Sequence, residues 1–175
     1  MTTAVLSIGS NLGDSHAHLR AAVDRLGTSV VRVSGIYQTP PWGDSAQPPY
    51  LNAVVLVEDR TASARDWLTR AQACETAEGR VRDPDRRFGP RTLDVDVIAV
   101  WADDGTPVVG DDPELTLPHP RAHLRAFVLV PWHAVRPDAE LPGHGPIAGL
   151  LTTPDVAADI AGVTLRPELS LESME

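Results

Sequence analysis

The chain has 175 residues, 42% of them apolar or aromatic, and a formal net charge of −9. That size and composition fit one domain with a real core, and the acidic excess argues against a general nucleic-acid or anionic-membrane surface. All 15 basic residues are Arg, so a Walker A lysine, a Schiff-base lysine and a kinase-type strand lysine are excluded.

In chain order, Ala4 to Ile8 has strand composition and ends on the turn signal Gly9-Ser10-Asn11. Asp14 or Ser15 can cap a helix whose stripe is Leu19, Val23 and Leu26, stopped by Gly27. Residues 29–39 read as a strand with a bulge at Gly35. A proline-rich loop follows over 40–49, then a β-branched strand from Leu51 to Glu58. Thr61 or Ser63 caps a second helix that runs to Glu78 and stops at Gly79. Residues 80–90 form an Arg-rich loop, and Thr92 to Trp101 a strong strand. Asp103-Asp104-Gly105 gives a hairpin-type turn, with a short returning strand over 107–110. Arg125 to Val135 reads as helical despite Pro131. The order β-α-β-β-α-β with C-terminal helical additions predicts an α+β, ferredoxin-like antiparallel sheet. A single domain is expected over 1–160, with a loosely held tail over 161–175.

The sharpest chemical feature is Asp94-Val95-Asp96. On a strand, residues i and i+2 share a face, so the two carboxylates project side by side, about 6–7 Å apart at Cα. Leu93, Val95, Val97 and Ala99 are assigned to the opposite face. Hard divalent cations such as Mg²⁺ take oxygen ligands of this kind. Two solvated aspartates at the start of an edge strand are an equally good reading of the pair alone. Its position after Arg80, Arg82, Arg86, Arg87 and Arg91 shifts the balance, because guanidinium forks match phosphate oxygens. Together, the arginines and the aspartates describe a site for phosphate chains bridged by metal ions.

Gln72 and Glu75 share a helical face with Leu68 and Ala71. They suit ligand contact or a bond to backbone equally well. In the proline loop and after it, Trp42 and Tyr50 could stack on a flat ring, and Asn52 could read a heterocycle's edge. Core packing and a turn bond are the competing roles. His119 and His123 stand four apart, but Pro120 and the lack of nearby Cys or acidic ligands argue against zinc. Cys74 cannot form an intrachain disulfide and sits mid-helix, a core position.

Six blocks in order resemble one family: Ile8-Gly9-Ser10-Asn11-Leu12-Gly13, Thr39-Pro40-Pro41, Tyr50-Leu51-Asn52-Ala53, Gly79-Arg80-Val81-Arg82, Phe88-Gly89-Pro90-Arg91-Thr92-Leu93-Asp94-Val95-Asp96 and Leu117-Pro118-His119-Pro120-Arg121. The family is 6-hydroxymethyl-7,8-dihydropterin pyrophosphokinase, and the resemblance runs from residue 4 to about 140. It implies transfer of diphosphate from ATP to the pterin hydroxymethyl group with release of AMP, in folate biosynthesis. It implies two Mg²⁺ ions on Asp94 and Asp96, and phosphate contacts from Arg82 and Arg91, with Arg80 in the same loop. Gln72, Glu75, Ile98, Thr116, His119 and Arg125 match nucleotide-side positions. Tyr50, Asn52 and Phe127, with the backbone around Thr39 and Pro41, match the pterin pocket. Three departures stand out: Phe88 replaces a frequent Trp, Glu114 lies where some members place Arg, and no Lys is present. No ATP role passes to Glu114.

Two other readings use fewer of these residues. A different two-metal phosphoryl or nucleotidyl transferase would keep Asp94, Asp96 and the Arg loop but not need a ring pocket. A non-catalytic ferredoxin-like binding module would not need the carboxylate pair. The first basic residue is Arg20, and no apolar run approaches a membrane span. A cytoplasmic monomer with no nucleic-acid or membrane partner is expected.

Overall fold

Alternation along three long strands decides the layers of this protein. The computed structural model describes residues 1–41, 46–79 and 92–171. In chain order the first elements are β1 (Thr2–Ser10), α1 (Ser15–Leu26), β2 (Val30–Val33), β3 (Tyr37–Thr39), β4 (Tyr50–Asp59), α2 (Ala64–Ala77) and β5 (Asp94–Ala102). Then follow β6 (Gly110–Asp112), β7 (Leu115–Leu117), α3 (Ala126–Val135), β8 (Glu140–Leu141), β9 (Gly145–Pro146), α4 (Ile147–Leu150), α5 (Pro154–Ile160) and β10 (Thr164–Leu165). The main sheet runs β10-β3-β4-β1-β5, with β2 also on β4, and all of its pairings are antiparallel. The architecture is α+β.

One face of the sheet presents Ala4, Leu6 and Ile8 with Ala53, Val55 and Val57, and Leu93, Val95 and Val97. Leu19, Ala22 and Leu26 of α1 and Trp67, Ala71 and Cys74 of α2 cover it. Both helices start as the sequence predicts. Asp14 accepts the N–H of Ala17, and Ser63 forms a reciprocal capping box with Asp66. The opposite face presents Val5, Val54, Leu56, Ile98 and Ala99, covered by Val128, Leu129 and Trp132 of α3. Ala99 was expected beside Val97. The register instead passes from Val5↔Ala99 to Leu6↔Val97, leaving Ile98 as an extra residue. A bulge of this kind reverses the facing of every residue beyond it.

The strand expected over 29–39 is broken in two at 34–36. There the Ser34 hydroxyl takes the N–H of Val54 and donates to the Gly35 carbonyl, so a side chain stands in for a ladder bond. The turn expected at Gly9-Ser10 is strand: Gly9 pairs with Asn52 on one side and Asp94 on the other. The β6–β7 hairpin and the short strands β8, β9 and β10 have no counterpart in the sequence reading, while α4 and α5 are helical additions of the kind it expects. Residues 164–171 lie against the body of the fold, through β10 on β3 and the buried Leu171.

Leu129 is fully buried between α3 and the sheet. Leu129→Ala should lower unfolding free energy by about 2–5 kcal/mol through lost transfer energy and a residual cavity. Urea denaturation should show this as a lower midpoint at an unchanged slope.

Candidate active site

The α3 face of the sheet is apolar at one end and polar at the other. Val5 gives way to Ser7 and Gly9 on β1, and Leu56 and Val54 to Asn52 and Tyr50 on β4. On β5 the same change runs from Ile98 to Asp96 and Asp94. Register aligns the polar ends, with Ser7↔Asp96, Gly9↔Asp94 and Gly9↔Asn52. These residues line a cleft of about 570 Å³, open to solvent. Thr39 and Pro40 close one side, and Arg125 and Phe127 the other end.

Gly9 sits where a side chain cannot. A Cβ there would lie 2.9 Å from the Asn52 Oδ1. The Asn52 amide is held from the other side by Thr39, whose hydroxyl accepts from Nδ2 at 2.7 Å. Asn52 is itself buried. An oriented amide beside the aromatic rings of Tyr50 and Phe127 suits a flat, polar-edged ligand.

Arg125 occupies the junction between a 3-10 turn (Ala122–Leu124) and α3. Its Nη1 lies 3.7 Å from the Asp96 Oδ2, and its guanidinium carbon 5.5 Å from the centre of the Phe127 ring. It therefore bridges the acidic and aromatic parts of the cleft. Asp94 and Asp96 are half-buried and offer hard oxygen donors on one face. Among the described residues, no group of three or more His, Cys, Asp or Glu gathers to enclose a metal. A cation held here would take one or two carboxylates and complete its shell with ligand oxygens and water, the habit of Mg²⁺. The donor set fits that ion.

The remaining expected site residues have varied surroundings. Gln72 is exposed on α2. Glu75 is buried and accepts the N–H of Val95 at 3.1 Å, which ties α2 to the segment between the two aspartates. Ile98 is buried, and its carbonyl accepts the N–H of His119. Thr116 lies on β7 and donates its hydroxyl proton to the Asp112 carbonyl. Pro41 lines a neighbouring cleft with Leu124 and Gly162 rather than the main one. Glu114 pairs with Arg65 on the surface. Arg80, Arg82 and Arg91 lie outside the described residues, as do Trp42, Arg86, Arg87 and Phe88. Sequence reasoning passed over Ser7, Gly9 and Pro40 as cleft residues. The alternation of Ser7 and Gly9 with Val5 was the available signal.

Burial, with help from Arg125 and Arg121 and against the pull of Asp94, lowers the His119 imidazole from 6.5 to about 4. Its Nδ1 accepts the N–H of Arg121, as a neutral ring can. The unfolded chain takes up this proton near pH 6.5 and the folded protein only near 4. The stability held above 6.5 is therefore lost as pH falls through that window. Urea midpoints measured from pH 7 to 4 should fall less steeply in His119→Gln than in the parent protein.

The model of the 7,8-dihydro-6-hydroxymethylpterin-pyrophosphokinase (HPPK) family matches residues 5–137. A protein of Mycobacterium tuberculosis named 2-amino-4-hydroxy-6-hydroxymethyldihydropteridine pyrophosphokinase is 47% identical over 180 residues, covering 99% of this chain and 95% of that protein. The protein of the same name from Mycobacterium leprae is 54% identical over 146 residues, covering 81% of this chain and 75% of its own. The Methylorubrum extorquens protein of that name is 44% identical over 148 residues, covering 82% and 89%. Among solved structures, Plasmodium falciparum HPPK-DHPS superposes with a TM-score of 0.65 at 11% identity, covering 94% of this chain and 48% of that one. An HPPK-DHPS solved in complex with substrates gives a TM-score of 0.60 at 10% identity, covering 85% and 42%. This chain thus spans less than half the length of those two, and they bear on the fold alone. Every residue that lines the cleft, from Ser7 to Phe127, falls within the matched segment, and the chain belongs to the HPPK family.

Proposed function

We propose that this protein transfers a diphosphate unit from ATP to the hydroxymethyl group of 6-hydroxymethyl-7,8-dihydropterin and releases AMP, a step of folate biosynthesis. The observation that carries this reading is a juxtaposition. The carboxylates of Asp94 and Asp96 line the same cleft as Tyr50, Asn52 and Phe127. One end of the cleft is suited to cations and phosphates, the other to a planar heterocycle.

On the pterin side, Tyr50 and Phe127 bind the ring faces and Asn52 orients the polar edge, with Thr39 closing the side of the cleft and Pro41 beside it on the neighbouring cleft. On the nucleotide side, Gln72, Thr116, His119 and Arg125 meet the ligand, and the buried Glu75 and Ile98 act behind them, Glu75 on the Val95 backbone and Ile98 through its carbonyl on His119. Arg80, Arg82 and Arg91 contact the phosphates. Asp94 and Asp96 would hold two Mg²⁺ ions, which when bound offset triphosphate charge and favour in-line attack. Arg125 limits the repulsion between the carboxylates before ligands arrive. Positioning the alcohol against the β-phosphorus is most of what such a site has to supply.

The strand order supports a ferredoxin-like core, carried by a single domain over 1–160 with the C-terminal residues laid against it. No helix among the described residues is long and apolar enough to cross a membrane. A cytoplasmic monomer acting on ATP and the pterin, without nucleic acid, is the setting we assign.

Incubation with MgATP and the pterin should yield AMP. ADP as the sole nucleotide product would favour a different phosphoryl transferase. Asp94→Ala and Asp96→Ala should each reduce kcat by roughly 10²-fold or more, with unfolding midpoints little changed, because they remove charge stabilisation at the reacting phosphates. Asn52→Ala should raise the pterin Kd by about tenfold, the scale of one lost hydrogen bond to a buried edge. Intact pterin binding in that variant, measured by calorimetry, would move the pterin pocket elsewhere.

A further inference from the structure

β3 is three residues long and holds Thr39 at its end. Its inner edge pairs with β4 through Tyr37↔Asn52, Gln38↔Leu51 and Thr39↔Tyr50. A strand this short frays readily when only one edge is bonded. Its outer edge is taken by β10, with Thr164↔Gln38 and Leu165↔Tyr37. Four side-by-side contacts extend that pairing. The Arg166 backbone N–H donates to the Ile36 carbonyl at 2.8 Å, and its Nη1 donates to the Gln38 Oε1 at 2.6 Å. Leu165 packs so closely over Gly35 that a Cβ there would come within 2.9 Å of it. Gly162 lies against Pro40, with room of only 3.3 Å for a Cβ.

Beyond this stretch the chain is anchored again. The Ser170 carbonyl accepts from His16 Nε2 and Arg20 Nη2 on α1, and Leu171 is buried. Residues 162–171 are therefore tied at both ends, and Arg166, braced by Glu168, sits at the middle. All of them lie outside the segment that the family model matches.

We propose that this C-terminal segment, through Arg166, is a positioning element for the pterin side of the cleft. It holds β3 in register, β3 holds the Thr39 hydroxyl, and that hydroxyl fixes the Asn52 amide. Arg166 is a positioning residue, since its side-chain contacts are with Gln38 and Glu168. The strand order also predicts selectivity. β10 and β3 lie on one side of β4 and β1, while β5, with both aspartates, lies on the other. Loosening β3 should reach the pterin end and leave the phosphate end in place. The inference rests on the pterin-pocket assignment above.

The test compares Arg166→Ala, Arg166→Lys and Gln38→Ala in the full chain. Arg166→Ala should raise the pterin KM about three- to tenfold, with the ATP KM and kcat within about twofold of the parent. Gln38→Ala should do the same, the double variant should add little, and Arg166→Lys should restore part of the loss. Amide hydrogen exchange over residues 37–39 should quicken in Arg166→Ala without ligand present. Unchanged exchange, an unchanged pterin KM, or a parallel rise in both KM values would overturn the proposal. A parent protein that turns over no pterin would instead overturn the functional assignment, with the exchange result still reporting on the strap itself.

Discussion

The site depends on one helix being shorter than the sheet it covers. Alternation commits one full face of β1, β4 and β5 to α1 and α2, where Leu6, Val55 and Val95 are sealed. The other face is sealed only at the end that α3 reaches, over Val5, Val54 and Ile98. Beyond Phe127, near the start of α3, the same rows of side chains continue without a covering helix and turn polar. The cleft is therefore a continuation of the core with its cover removed. Ser7, Gly9, Tyr50 and Asn52 inherit the rigidity of β1 and β4, which are paired on both sides, while Asp94 and Asp96 stand on the edge strand β5, laddered to β1; such a frame suits a site that works by placement.

That origin also settles the electrostatics. The chain carries −9 overall, yet Arg125 is brought within ion-pair range of Asp96, and Arg121 and Arg125 both act on His119. Screening at physiological salt limits the reach of the global charge to about 8 Å. Among the described residues, these few groups, with whatever cation the two carboxylates attract, set what an anionic ligand meets in the cleft. A carboxylate pair without a cation repels phosphate; the same pair with a divalent cation attracts it. On the proposed reading the site is electrostatically complete only with a divalent cation, which is a reason to expect metal and nucleotide to bind together.

Much of this was legible in the residues. Period two placed Asp94 and Asp96 on one face, and the capping residues Asp14 and Ser63 marked both long helices. Asn52, Tyr50 and Phe127 converge on one cleft with the aspartates, although their spacing along the chain carries no hint of it. Failures had local causes. Glycine usually breaks strands, so Gly9 reads as a turn in the sequence, whereas here its missing side chain makes room for the Asn52 amide. Ala99 was misplaced by a single inserted residue, and no composition rule locates a bulge of that kind. The C-terminal elements are two to seven residues long and draw their stability from what they pack on, α3 for α4 and α5 and the sheet edge for β10, so their own sequence carries little periodicity.

Local rules and global structure disagree most at the cleft, and they disagree for a reason. Two aspartates on one face of an edge strand, a half-buried histidine near them and a glycine inside a strand each work against the folded state. None of them adds to packing. Elsewhere the chain is consistent, with apolar alternation on both sheet faces and capped helices. Glu75 marks the boundary between the two regimes. It is a buried acid, yet it bonds the backbone of Val95, the residue between the aspartates. Its carboxylate holds the strand that carries the site from the side facing α2, so the polar group placed in that core serves the arrangement on the opposite face. A protein selected for stability alone would close the cleft with one more helical turn and replace these groups by aliphatic ones. Keeping the face open and the charges in place is intelligible as the cost of binding a charged ligand next to a flat one.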